Sequence, residues 1–270
     1  MVKRVSRCDS HLADRIPYIP TVHATPSFPS SQNPSHGNDA SYLQWKEWPE
    51  TEFGRYSSIE GAYFAAEIPL TGADTVLEIG FGNGAFLGWA RDRGARAFGV
   101  ETNLMLMGRA GKMLGTGSVY PGIHAPELDA HRGTFSHIVA FDVIEHIPQT
   151  EFPVFFSRIA DLLQPAGRCT LRFPNGDSPL GRAAQHGDPT HITTIGSAKL
   201  VYFATHAHLS VEAIRAPAMP TAGLGLRRAL RRRLSLMIRF VVESLIGYGY
   251  FGRRIPLDQN LVGVLVRRAL

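Results

Sequence analysis

Thr75–Asn103, TVLEIGFGNGAFLGWARDRGARAFGVETN, decides how the rest of the chain is read. Val76, Leu77 and Ile79 form a short apolar run ending on Gly80, Gly82 and Gly84, and an apolar-periodic segment from Ala85 to Trp89 follows at once. That order is a strand, a tight turn and a helix. Glycine suits the turn because it tolerates positive φ and lets a ligand approach the backbone, while the start of the helix presents unpaired N–H groups there. A second strand, Ala97 to Val100, ends in Glu101, about 17 residues after Gly84. An acidic residue near this spacing meets ribose hydroxyls in nucleotide-binding βαβ units, where a carboxylate accepts from both hydroxyls.

Two nucleotide ligands compete for the turn. Gly80-Phe81-Gly82-Asn83-Gly84-Ala85 reads as GxGxxA, which suits a dinucleotide and an NAD-dependent oxidoreductase, or as GxGxG preceded two residues earlier by Glu78. A pyrophosphate is poorly served by a carboxylate beside the turn, whereas a cationic ligand is well served. VLEIGFGNG resembles the first motif of the class I S-adenosylmethionine-dependent methyltransferases, whose methyl donor carries a sulfonium and an ammonium and no phosphate. The resemblance implies that Glu78, Gly80, Phe81, Gly82, Asn83, Gly84 and Glu101 bind S-adenosyl-L-methionine. It also implies a hollow beside Gly82 for an adenosyl group, with Glu78 facing it.

Downstream, Leu104–Leu114 is helix-compatible, Val119–Ile123 is a short candidate strand, and His137–Phe141 is a buried strand with Asp142 at its carboxyl end. A helix over Phe152–Leu163 stops before Pro165 and Gly167, ahead of a strand over Arg168–Phe173. Strands alternating with helices predict an α/β fold with a doubly wound, mostly parallel sheet, and such sheets bind ligands at the carboxyl ends of their strands. Gly80, Glu101, Asp142 and Pro174 then share one edge.

Phe141–Pro148, FDVIEHIP, resembles the segment after the fourth strand in ubiquinone-biosynthesis-type O-methyltransferases and their relatives in natural-product and surface-glycan pathways. The implied fold is Rossmann-like, seven-stranded, with an antiparallel last strand. The resemblance places Phe141 and Asp142 on the cofactor, and Glu145 and His146 toward the acceptor, His146 as a base for an acceptor hydroxyl. Asp142, Glu145 and His146 also match the E-x-x-E-H positions that hold a divalent cation in some quinone-pathway relatives, with aspartate first; a metal requirement stays open. A third constellation, Pro174–Thr194, holds His186, Asp188 and His191 in H-x-D-x-x-H, with Arg172, Asn175 and Arg182 as further donors. Its G-D-x-T-H ending resembles bacterial methyltransferases of cell-surface glycan loci, which makes His191 a second base. An incidental polar loop is the plain alternative.

The chain has 270 residues, a formal net charge of +5 and two cysteines, Cys8 and Cys169. Two distant cysteines make neither a disulfide framework nor a zinc site, which suits a cytoplasmic location. No apolar segment follows Lys3, Arg4 and Arg7, so no secretory signal is expected, and no membrane-length run lacks a charge. Residues 1–40 are rich in Pro, Ser, His and Asn and read as a disordered tail. The methyltransferase domain then spans 41–270. Within 41–70, Trp45, Trp48, Phe53, Tyr56, Ile59, Tyr63, Phe64 and Ile68 recur at near-helical intervals, as core-packing helices or a lid over the cofactor mouth.

Residues 216–259 form an insertion before the last strand, Leu261–Val266. On a helical wheel Leu226, Leu230, Leu234, Met237, Ile238, Val241 and Leu245 gather on one side, and Arg228, Arg231, Arg232, Arg239 and Glu243 on the other. Such a helix over 226–245 binds an anionic membrane surface, or packs on its own domain with the arginines solvated. Nucleic acid is disfavoured, because no aromatic interleaving or reader motif accompanies the arginines. The expected function is S-adenosylmethionine-dependent O-methylation of a glycan, glycolipid or other small acceptor, by a cytoplasmic enzyme that is peripheral at the inner face of the membrane if 226–245 binds lipid. The alternatives are an NAD-dependent oxidoreductase and a non-catalytic, membrane-surface member of the fold.

Overall fold

Alternation within β1 (Thr75–Ile79) sets the frame: Val76 joins the apolar cluster on one face and Leu77 the cluster on the other, both fully buried. A strand buried on both sides needs a layer against each. The computed structural model describes residue 46 and residues 48–268. The expected tail 1–40, with Cys8, and Trp45 lie outside the described residues.

The remaining strands are β2 (Arg96–Val100), β3 (Val119–Tyr120), β4 (Phe135–Phe141), β5 (Leu163–Pro174), β6 (Leu209–Arg215) and β7 (Asn260–Arg267). They form one sheet of order β3-β2-β1-β4-β5-β7-β6. β3, β2, β1, β4 and β5 pair in parallel, while β7 runs antiparallel to both β5 and β6. The expected doubly wound, seven-stranded sheet is present. The third strand is shorter than its apolar run, ending at Tyr120 rather than Ile123.

Helices α1 (Ser58–Glu67), α2 (Ala85–Asp92) and α3 (Leu104–Leu114) supply Phe64, Phe86, Trp89 and Leu106 to one face. On the other face α4 (Phe152–Leu162) and α6 (Ser197–His206) supply Phe156, Ile159 and Leu200; α5 (Arg182–Gly187) is short and peripheral. Each fully buried phenylalanine contributes roughly 1.5–3 kcal/mol relative to its exposed state. The aromatic stretch before β1 is less helical than its spacing predicts. Among the described residues of that stretch α1 is the one α-helix, opened by a capping box between Ser57 and Glu60, and Trp48 and Phe53 pack from either side of a single 3-10 turn, Glu50–Glu52. Pro49 and Gly54, the latter at φ 75°, interrupt the pattern.

The insertion is a single helix, α7 (Leu226–Phe251), oriented the opposite way to ordinary packing. The carboxyl-terminal half of its charged side faces the domain, while Arg228 and Arg231 stay exposed: Glu243 is buried, accepts from the Leu257 N–H at 3.1 Å and pairs with Arg254 at 3.2 Å, and Arg239 pairs with Asp258. Gly247 is also buried, because the 253–255 backbone crosses where its side chain would stand. The apolar stripe from Leu226 to Leu245 is exposed along its length, with Leu245 at 71% and Leu230 at 67%. α7 is long and apolar enough to cross a membrane by length and composition.

Candidate active site

The carboxyl ends of β1, β2, β4 and β5 bring the sequence's candidates to one edge. At the end of β1 the chain turns through Gly80, Gly82 and Gly84 at φ 66°, 50° and 71°. A Cβ on Gly82 would stand 2.8 Å from the Trp48 ring, and one on Gly84 would stand 2.6 Å from Phe53. Only glycine meets both the backbone sign and the close approach. Asn83 accepts from the Ala85 N–H at 3.2 Å and so holds the start of α2.

Glu78 departs from its expected orientation. Strand alternation puts it on the Val76 face, beneath the turn rather than open to a hollow, and its residue is 5% exposed. Its carboxylate faces the Leu87 N–H in the first turn of α2, the favourable end of the helix dipole, which works against the rise in its pKa. Burial pushes its pKa well above the ordinary carboxylate range, and the neighbouring Glu101 charge adds to the rise. Oε2 has no partner. Phe81 is a second correction: it is 3% exposed and packs edge-on against Phe53, so it is a core side chain supporting the turn.

Glu101 sits where its spacing predicts. It is half-buried at the end of β2 and accepts from the N–H groups of Gly82 (3.2 Å), Thr102 (2.8 Å) and Asn103 (3.1 Å). Asn103 caps α3 through Oδ1, and its Nδ2 is buried without a partner. The hollow expected beside Gly82 is narrowed by Trp48, whose carbonyl accepts from Arg109 Nη1 at 3.0 Å. A cavity of about 260 Å³ remains between Trp48, Pro49, Glu52, Phe53, Asn83 and Arg109. This is below the roughly 300–1,000 Å³ of ordinary ligand pockets. The glycine cradle and the ribose-spaced Glu101 fit a ligand carrying ribose hydroxyls, whereas the unpartnered Glu78 oxygen is sealed beneath the turn.

At the end of β4, Phe141 stacks on Phe64 at 6.1 Å. Asp142 takes φ 56°, a left-handed conformation held by its N–H on the Arg172 carbonyl (2.8 Å) and by a two-pronged ion pair with the Arg172 guanidinium. Non-glycine residues there cost about 1–3 kcal/mol and persist only where the surroundings impose them. Because Arg172 occupies both its oxygens, Asp142 is not the first member of an E-x-x-E-H set here.

Glu145 and His146 follow in a short turn, and the 188–193 loop is docked onto them: the Ile192 and Thr193 N–H groups both reach the Glu145 carbonyl at 3.0 Å. His146 Nδ1 lies 3.1 Å from the Thr190 carbonyl and 2.9 Å from its hydroxyl, which gives its own proton to Asp188 at 2.5 Å. His191 Nδ1 lies 3.1 Å from the Gln185 carbonyl. Carbonyl partners place the proton on Nδ1 in both rings and leave Nε2 bare. The rings meet edge to face at 4.7 Å, and His191 Nε2 is 3.8 Å from Glu145 Oε1. Glu145 is completely buried with both carboxylate oxygens unpartnered; burial, then the Asp142 charge, pushes its pKa up to about 8. His146 is pushed below the usual imidazole value by burial and by His191.

Of H-x-D-x-x-H only His191 joins the site. His186 is exposed on α5, and Asp188 is spent on the Thr190 N–H, its hydroxyl and Lys46 at 3.1 Å. Arg172 was foreseen only as a loop donor, yet it fixes Asp142. Thr190 and Gln185 were not foreseen at all: their main-chain carbonyls set the tautomers, and a carbonyl leaves no mark in a sequence.

Residues 32–212 match the model of the Methyltransf_23 family, a methyltransferase domain. Among solved structures the chain is similar to a SAM-dependent methyltransferase from Archaeoglobus fulgidus (16% identity, 85% of this chain and 100% of that one, TM-score 0.58). It is similar also to a putative methyltransferase in complex with the Trm112 activator of Haloferax volcanii (16%, 85% and 96%, 0.55). An S-adenosylmethionine-dependent methyltransferase from Mesorhizobium loti is a third such structure (14%, 77% and 100%, 0.51). No match was found among curated proteins. The family sets aside the dinucleotide reading of the turn, and its match ends before α7. The chain belongs to the Methyltransf_23 family and is a class I S-adenosylmethionine-dependent methyltransferase.

Proposed function

We propose that this methyltransferase is O-directed and acts on a hydroxyl of a glycan, glycolipid or similar small acceptor. The bound S-adenosylmethionine supplies an electrophilic sulfonium methyl. Gly80, Gly82, Gly84 and Asn83 would cradle the cofactor at the turn, Glu101 would accept from its ribose hydroxyls, and Phe141 and Asp142 would close the pocket, with Glu78 supporting the turn from beneath. The cofactor, when bound, would supply its methyl to the acceptor oxygen and leave as the thioether, and the hydroxyl proton would be lost at the Glu145, His146 and His191 cluster. The residue's task is alignment and proton removal in a site that excludes water.

The observation that carries the oxygen-directed reading is the pair of bare Nε2 atoms beside a buried carboxylate, beyond Asp142 on the acceptor side. A sulfonium methyl needs no acid, but an attacking hydroxyl has to lose its proton. His146→Ala and His191→Ala are expected to lower turnover at least about tenfold with cofactor affinity by calorimetry little changed. Undiminished turnover in both variants would remove the cluster from the reaction.

A second reading concerns location, and α7 favours it. With Arg239 and Glu243 turned to the domain, the exposed apolar stripe has Arg227, Arg228, Arg231 and Arg233 at its amino-terminal end and Tyr248, Tyr250 and Phe251 at the other. Apolar side chains flanked by arginines and aromatics suit the interface of an anionic bilayer at the cytoplasmic side, each near-surface arginine adding about 1 kcal/mol. The intact chain should float with phosphatidylserine vesicles, and Leu234→Glu combined with Val241→Glu should abolish flotation; flotation of the double variant would overturn the assignment.

A further inference from the structure

The acceptor-side cluster is built entirely of lone pairs. Glu145 is completely buried and neither of its oxygens meets a donor. Both imidazoles meet main-chain carbonyls through Nδ1, which puts their protons there, and His191 Nε2 lies 3.8 Å from Glu145 Oε1. The potential ligand atoms of Glu145, His146 and His191 all lie within 4.8 Å of one another. The neighbouring cationic side chains are engaged elsewhere, Arg172 on Asp142 and Lys46 on Asp188. A buried acceptor left without a donor costs about 1–3 kcal/mol, and more when charged. One shared proton bridges two of these atoms and leaves the others bare, whereas one cation at their centre satisfies all three residues.

We propose that Glu145, His146 and His191 bind one divalent transition-metal ion. Two imidazoles and one carboxylate suit Zn²⁺, Fe²⁺ or Mn²⁺ better than Ca²⁺ or Mg²⁺, which favour all-oxygen shells. Ligand atoms about 2.1 Å from an ion stand at most about 4.2 Å apart, so the cluster closes by a fraction of an ångström on binding. The carbonyls of Thr190 and Gln185 supply the outer contacts that metal-bound histidines ordinarily make through their second nitrogen. The set differs from the E-x-x-E-H pattern, since Asp142 is withheld by Arg172 and His191 enters from a separate loop.

Three protein ligands leave a coordination position open. The use of that position rests on the O-methylation proposed above: an acceptor hydroxyl held there would lose its proton more readily at the same cluster, the three side chains holding the ion. Occupancy itself is independent of any methyl transfer.

The test is metal analysis of the full-length protein by plasma mass spectrometry, followed by chelator stripping and titration with Co²⁺ and Zn²⁺. Expected are about one equivalent of metal, a visible Co²⁺ d–d band that Zn²⁺ quenches, and a rise in melting temperature of the stripped protein with Zn²⁺. Glu145→Gln, isosteric and unable to ionise, should keep the fold and lose metal retention at least about tenfold, as should His191→Ala. Asp142→Asn should retain the ion. Wild-type protein with neither metal nor cobalt band would mean that the cluster holds protons only and would overturn the proposal. Retention by both Glu145→Gln and His191→Ala would place any bound ion elsewhere, and loss in Asp142→Asn alone would restore the E-x-x-E-H set. These readouts use neither cofactor nor acceptor, so they separate failure of the ion from failure of the O-methylation reading.

Discussion

The two ends of the site treat their carboxylates in opposite ways. After β2, Glu101 is half-exposed and collects three backbone N–H groups; after β4, Glu145 is fully buried and collects none. One carboxylate is locked as an oriented anion ready for hydroxyls, and the other awaits a positive charge. The contrast teaches that surroundings set what a carboxylate can do: backbone donors at the rim hold Glu101 in one orientation, whereas burial without donors leaves Glu145 short of partners.

The strongest way to break this comparison is at the cofactor end. Gly82→Arg puts a side chain at φ 50° and 2.8 Å from Trp48, where neither backbone nor space accepts it. Cofactor affinity by calorimetry should fall at least about 100-fold, whereas Gly122→Arg, at a site with nothing within 4 Å, should leave it unchanged. Equal affinity in the Gly82 variant would detach the turn from the cofactor.

At the other end of the site the test is one of stability, the pH response of the chelator-stripped protein. Burial raises the Glu145 pKa to about 8, so the folded state holds its proton more tightly than the unfolded chain does. This contribution to stability is complete below the ordinary carboxylate pKa and is lost as pH rises toward 8, on the order of 5 kcal/mol for a shift of that size. His146, depressed by burial, contributes the reverse trend, losing stability as pH falls below the usual imidazole value. Glu145→Gln removes the first slope and keeps the second. Urea-unfolding series at pH 5 and 8 that decline equally in wild type and variant would show that Glu145 is not the donor-starved group described.

A smaller effect belongs to Glu101→Gln. The amide keeps one oxygen for the Thr102 and Asn103 N–H groups but turns a donor toward the Gly82 N–H, and cofactor affinity should fall about tenfold, or about 1.4 kcal/mol. Unchanged affinity would mean that Glu101 serves only the backbone of the β2–α3 turn.

Legibility in the sequence follows how local each feature is. The β1–turn–α2–β2 unit was readable because its periodicities and glycines are contiguous, and α3 was bounded by a cap at Asn103 and a break at Gly115. The stretch before α1 was over-read as helix: aromatic spacing mimics a helical stripe, while Pro49, Gly54 and the Ser57–Glu60 box set the real boundary. For α7 the wheel separated two faces correctly but carried no information on which one meets the domain. Asp258 and Arg254, far from the stripe in the pattern, settled that by pairing with Arg239 and Glu243. Glu145 and His146 were visible as neighbours and His191 as an isolated candidate; their meeting depends on the Glu145 carbonyl holding the Ile192 and Thr193 N–H groups, which no side-chain pattern encodes.

The smallest effect sharpens the cofactor end. Trp48 lies over Gly82 and is drawn there by Arg109, so its ring fills space that an adenosyl group beside the turn would need. Binding then has to displace the indole, and apparent affinity is lowered by the fraction of molecules in which the ring is seated. Trp48→Ala removes that competitor and should tighten cofactor binding about two- to fivefold by calorimetry. In wild type the tryptophan fluorescence should change on cofactor addition, with the change lost in Trp48→Phe. Weaker binding in the alanine variant would reverse the sign of the argument: the indole would then be a wall of the occupied site, and residues 48–53 a lid that closes with the cofactor beneath it.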